Sequence, residues 1–227
     1  MKVILFGATG MVGQGALREC LAAPDVEQVI AVGRTPTGQQ HPKLVDLVHA
    51  EMWDYTNVEA ELTGCDACFF CIGVTSSGMA EKQYTHMTYD LTMAAASTLA
   101  RLNPQMVFVY VSGAGADSSA TSRIMWERVR GKTENALLKL PFRGVYIFRP
   151  GMIQPMFGVK SKTTSYRWFY SLTKPLLPLL RSILPDQILS TPQMGQAMLA
   201  AVRRGAPKRV LEAADINALS KGARKQD

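Results

Sequence analysis

The stretch Lys2–Gly13, KVILFGATGMVG, decides the fold. Lys2–Phe6 is a short run of apolar and β-branched residues, the pattern of a strand buried on both faces. Gly7, Gly10 and Gly13 follow at G-x-x-G-x-x-G spacing, and Met11–Leu21 reads as a helix that stops before Pro24. Gly7 permits a tight turn out of the strand. Gly10 lets backbone N–H groups approach a diphosphate, and Gly13 lets the helix lie close to the strand. The amino end of the helix adds unsatisfied donors and a partial positive charge. After a strand and opening a helix, the motif predicts dinucleotide binding by Gly7, Thr9, Gly10, Met11, Val12 and Gly13.

Downstream, strands alternate with helices. Gln28–Val32, Leu44–His49, Ala67–Ile72, Met106–Ser112 and Val145–Phe148 read as strands. Val58–Leu62, Glu81–Leu102, Ser119–Leu140 and Pro192–Arg204 read as helices. Such alternation implies parallel βαβ units, and so an α/β fold of Rossmann type with a doubly wound parallel sheet. The rhythm changes after Gly151. One NAD(P)-binding domain is expected over residues 1–227, with 151–227 as a substrate-side extension ending in a small helical part.

The end of the second strand selects the cofactor. An acidic residue there would hold a ribose 2′-hydroxyl, but the chain has Arg34, whose guanidinium can pair bidentately with a 2′-phosphate. NADP(H) is therefore expected over NAD(H). Asp54 has two readings, as a partner for the adenine amine or as the cap of the helix that follows.

Composition bounds the class. Of 227 residues, 47% are hydrophobic and 19% charged, enough for a sizeable core and against wholesale disorder. Residues 1–115 carry a net charge of −5 and residues 116–227 a net charge of +12. The basic residues are scattered among apolar ones rather than run together, so no nucleic-acid partner is expected. Four cysteines do not make a disulfide scaffold. Cys65, Cys68 and Cys71 have metal-like spacing, but residues three apart on a strand point to opposite faces, so buried thiols and no metal are expected. The chain opens directly on a strand rather than on a leader, and the apolar stretch near 172–184 is broken by Pro175, Pro178 and Arg181. A cytoplasmic protein is the expectation. Arg167, Lys174 and Arg181 recur at sevenfold spacing, which makes 160–184 a candidate for weak membrane or protein contact.

Gly7–Gly13, Cys71-Ile72-Gly73, Ser112-Gly113-Ala114, Arg149-Pro150-Gly151 and the run LLPLLRSILP together resemble the atypical short-chain dehydrogenases, in the group related to the Tat-interacting oxidoreductase-like proteins. The resemblance covers nearly the whole chain. It implies that Cys71, Ile72, Gly73 and Val74 line the cofactor. It also implies that Ser112 sits near the nicotinamide, and that Pro150, Gly151, Met152 and Ile153 flank the nicotinamide ribose. It further implies a catalytic helix bearing Tyr-x-x-x-Lys, then Gly, then Glu. This chain reads WERVRGKTE, with Gly131 and Glu134 in frame but Trp126 in the tyrosine position and Arg130 in the lysine position. The pair keeps i, i+4 spacing and so one helix face. An indole N–H donates a hydrogen bond but does not ionise usefully, so the usual proton donor is missing.

Two function classes remain open on the sequence. One is an NADP(H)-binding sensor or scaffold with little ordinary carbonyl reduction. The other is an NADPH-dependent oxidoreductase or isomerase/epimerase acting on a small apolar carbonyl substrate with a non-standard acid, for which Tyr89, Tyr166 and Tyr170 are candidates.

Overall fold

Alternation along the central strands sorts the side chains into two cores. On β1 (Lys2–Phe6), Val3 and Leu5 enter one core, while Ile4 and Phe6 enter the other. A computed structural model describes residues 1–157 and 187–223. Its main sheet has seven strands, all parallel: β3 (Leu44–Val48), β2 (Gln28–Gly33), β1, β4 (Ala67–Phe70), β5 (Val107–Val111), β6 (Gly144–Arg149) and β9 (Val210–Glu212), in that spatial order. The order reverses between β1 and β4, where Val3 pairs with Ala67. In an open parallel sheet, that reversal leaves a crevice at the carboxyl edge.

One face is covered by α1 (Met11–Ala22), α6 (Thr191–Arg204) and α7 (Ala213–Ala223). The other is covered by α2 (Glu59–Leu62), α4 (Leu91–Leu102) and α5 (Met125–Leu137). That second core is aromatic. Phe6, Phe70, Phe108 and Tyr110 are fully buried and stack along the sheet at centroid distances of 5.1 to 6.1 Å. Each such ring contributes about 1.5–3 kcal/mol by leaving water.

Residues 188–223 belong to the same body. β8 (Ile188–Ser190) pairs with β7 (Met152–Gln154) in a small parallel sheet, and β9 adds the seventh strand of the main sheet. Ser190 and Gln193 form a reciprocal capping box at the start of α6, which fixes where that helix begins.

Two helices depart from their sequence readings. The expected helix over Ser119–Leu140 begins only at Met125. Asp117 is the reason: its carboxylate accepts from the backbone N–H groups of Ser119, Thr121 and Ser122 and from Ser119 Oγ. These donors would otherwise open a helix, and the local side-chain bonds hold them in a loop instead. The expected helix over Glu81–Leu102 forms, but α3 (Glu81–Thr85) joins α4 through a π turn at His86–Asp90. The segment 160–184, including Tyr166, Tyr170 and the basic heptad-spaced residues, lies outside the described residues. No helix of the described residues is long and apolar enough to cross a membrane.

Candidate functional site

A cleft of about 570 Å³ lies over the carboxyl ends of β1, β2 and β4. Its floor is the turn between β1 and α1. Gly7 has φ +76, and a Cβ there would stand 2.8 Å from the carbonyl carbon and oxygen of Cys71. A Cβ at Gly13 would stand 2.0 Å from Gly7 O, so only glycine lets α1 begin this close to the strand. The α1 amino end has no side-chain cap, which leaves its first N–H groups facing the cleft. The cradle is thus made of bare backbone and fits a diphosphate.

Of the expected cofactor residues, Gly7, Thr9, Gly10, Arg34, Cys71, Ile72, Gly73 and Val74 line this one cleft. Met11, Val12 and Gly13 form the first turn of α1 beside it. Arg34 is exposed and makes no hydrogen bond or ion pair among the described residues. Thr37, also on the lining, is anchored instead by Asp46, which accepts from its N–H at 3.1 Å and its hydroxyl at 3.0 Å. Asp54 stands beside the lining rather than on it. Its carboxylate accepts from Thr56 Oγ1 at 2.6 Å and Thr56 N at 2.9 Å, and these bonds hold its pKa below the usual carboxylate range.

Among the cleft residues that had no role in the sequence reading are Met52, Trp53, Met87 and Leu91. Trp53 stacks on His86 at 4.8 Å with an interplanar angle of 3°. Met87 and Leu91 reach the cleft at the π turn, a local change of helix phase with no sequence signature. Cys71 contributes a neutral thiol, since burial pushes its pKa up to about 12. Cys68 faces the aromatic core and Cys71 packs against the opposite one.

Ser112, Trp126, Arg130 and Pro150–Ile153 do not line this cleft; beyond it, past β5 and β6, the carboxyl edge is built from charged side chains. Ser112 is buried, and its hydroxyl donates to Glu134 Oε1 at 2.5 Å. Arg149 donates from Nε to Glu134 Oε1 at 3.1 Å and from Nη2 to Oε2 at 2.5 Å. It also reaches Glu212 at 3.2 Å and Ser118 Oγ at 2.7 Å. Four segments are thereby tied around one carboxylate that is 1% exposed. The loops after β5 and β6 are joined as well, because Pro150 O accepts from Ala114 N at 3.0 Å. Gly151 is exposed, Met152 and Ile153 lie in β7, and Ile153 is buried in the α1-side core.

Trp126 and Arg130 project from α5 over this end. A Cβ at Gly115 would lie 3.1 Å from Trp126 Cη2. The Arg130 guanidinium sits between the loops after β4 and β5. A Cβ at Gly73 would be 3.9 Å from its Nη2, and one at Gly113 would be 3.7 Å from its Nη1. Its Nε donates to the hydroxyl of Tyr84, a fully buried residue of α3, at 3.0 Å. Burial works against the charge on Arg130, but the neighbouring Tyr110, Tyr84 and Glu134 outweigh it and raise the pKa. Tyr84 was not among the tyrosines considered on the sequence, because it lies 46 residues from Arg130 and only the packing of α3 on α5 brings them together.

Residues 7–137 match the model of the NAD(P)H-binding family. The mitochondrial protein fmp52 of Emericella nidulans is 31% identical over 159 residues, spanning 67% of this chain and 66% of that one. Protein HTATIP2 of Rattus norvegicus is 26% identical over 155 residues, spanning 67% and 62%. The chain thus spans about two thirds of the length of these relatives, and the expected kinship with the Tat-interacting oxidoreductase-like group holds. Among solved structures, the Bordetella bronchiseptica enzyme WbmF in complex with NAD+ superposes with a TM-score of 0.69, covering 99% of this chain and 77% of that one at 14% identity. That likeness is one of fold. The expected cytoplasmic location is corrected: fmp52 and the further FMP52 relatives carry names that place them in mitochondria, and a strand-like opening sequence did not reveal this kinship.

Proposed function

This chain belongs to the NAD(P)H-binding family, and from that premise we propose that it binds NADP(H) as a sensor or scaffold, with little ordinary carbonyl reduction. The diphosphate is assigned to the Gly7–Gly13 backbone. The 2′-phosphate is assigned to Arg34, whose fork is exposed, unpaired and on the cleft lining. Ile72–Val74, Ser112, Arg130 and Pro150–Ile153 form the nicotinamide side of this reading. The bound cofactor supplies a hydride. A ketone also needs a proton at its oxygen, and the residues of this chain do not provide the usual one.

The observation that carries the proposal is the α5 face. Trp126 and Arg130 occupy it together, and the hydroxyl of Ser112 is already committed to Glu134. Neither an indole nor a guanidinium gives up a proton near neutral pH. Calorimetric titration with NADPH and NADH, followed by a panel of aldehydes and ketones monitored by nicotinamide fluorescence, tests it. NADPH binding tighter than NADH, with no turnover, is expected. Brisk reduction of a simple ketone overturns the sensor reading.

One contact favours the enzyme reading. The Tyr84 hydroxyl, hydrogen-bonded to Arg130, is the ionisable group a non-standard oxidoreductase or isomerase/epimerase would need beside its cation. If Tyr84→Phe abolishes whatever turnover the panel uncovers, that reading prevails.

A further inference from the structure

Arg130 is a partly buried cation whose one hydrogen-bond partner among the described residues is the Tyr84 hydroxyl. Glu134, one turn further along α5, is no counter-ion for it at contact distance. That carboxylate is taken up by Ser112 and by three contacts from Arg149. Nη1 and Nη2 of Arg130 therefore make no hydrogen bond among the described residues, and they stand beside Gly113 and Gly73, where no side chain blocks approach. One turn back on the same face, the Trp126 indole N–H also has no acceptor among the described residues. A planar guanidinium with two nitrogens free of hydrogen bonds matches the two oxygens of a carboxylate.

We propose that Arg130 and Trp126 form a receptor for a carboxylate-bearing ligand beside the cleft, next to Gly73 of its lining. Replacing tyrosine and lysine by tryptophan and arginine removes a proton donor and installs fixed hydrogen-bond donors around a charge that cannot be lost. The ligand's carboxylate pairs with the two Nη groups, and its apolar part lies against the Trp126 ring. Tyr84 acts as a positioning residue by fixing Nε, so that the other two nitrogens face outward. This goes beyond the cofactor reading, and the site can fill with or without a dinucleotide present.

The test is calorimetry on the full chain with phenylpyruvate, its neutral methyl ester and inorganic phosphate, each with and without NADPH. Phenylpyruvate is expected to bind at least about tenfold tighter than the ester. Arg130→Gln should remove that preference, and Arg130→Lys should retain only part of it. Equal binding of acid and ester by the unaltered protein overturns the proposal, and needs no variant to fold. Phosphate competing as well as phenylpyruvate overturns the carboxylate assignment. Phenylpyruvate binding without NADPH binding sinks the cofactor reading alone, and the reverse result sinks this one alone.

Discussion

At the β1–β2 end of the carboxyl edge the cleft is made of backbone: a glycine turn, an uncapped helix end and one free arginine at the rim. Beyond the cleft, at the β5–β6 end of the same edge, side chains bind one another, with Glu134 at the centre of a knot formed by Ser112, Arg149, Ser118 and Glu212. The first end leaves its donors free for a ligand. The second has used its charges to hold four segments in register, while the Arg130 Nη groups and the Trp126 indole N–H make no hydrogen bond among the described residues. The two ends of one edge are thus built on different principles, bare backbone at one and paired side chains at the other.

Glu134→Ala tests the knot most severely. It leaves Arg149 largely buried with the exposed Glu212 as its remaining carboxylate among the described residues, and should destabilise the fold by about 3 kcal/mol in urea unfolding. Loss of NADPH affinity in the still-folded fraction would show that the two ends are not separate. The double change Trp126→Tyr with Arg130→Lys restores an ionisable hydroxyl beside a cation. Nicotinamide-dependent ketone reduction should rise by roughly a hundredfold over the unaltered chain. No rise would mean that more than the acid is missing from the β5–β6 end.

Arg34→Ala should weaken NADPH binding by about tenfold and NADH binding hardly at all, since one charge-assisted contact to the extra phosphate is lost. A similar loss for both cofactors would take Arg34 off the phosphate. The mildest effect concerns the loop that displaced the start of α5. Hydrogen bonds from Ser119, Ser122 and Thr121 hold the Asp117 pKa down to about 2, below its ordinary 3.8. A depressed carboxyl stabilises the fold above its unfolded value, and that contribution fades as pH falls through the folded one. The Tm gap between the unaltered chain and Asp117→Ala should therefore be full above about pH 5 and close between pH 4 and pH 2.

Local sequence was enough for the strand–turn–helix opening, because glycine spacing and apolar runs act within a dozen residues. The same holds for the parallel strands and for the placement of Arg34, Ile72 and Gly73 at strand ends, since strand order in a doubly wound sheet brings those ends to one edge. Asp117 shows where local rules fail. Ser119–Leu140 reads as one helix, yet the Asp117 carboxylate takes the N–H groups of Ser119 and Ser122 and holds that stretch in a loop. β9 went unread because three residues carry no periodicity, and its place beside β6 depends on a pairing 63 residues away in sequence.

The sequence by itself determined that this chain forms a parallel α/β sheet with a glycine cradle at its first turn, and that the helix expected to carry a tyrosine carries Trp126 and Arg130 instead. Only the tertiary structure decided what those residues face. It turned Ser112 to Glu134, brought Arg149 to the same carboxylate, and set Tyr84 against Arg130. Backbone conformation follows from neighbours along the chain, whereas a buried charge takes whichever partner packing brings within about 3 Å, and no spacing in the sequence encodes that choice.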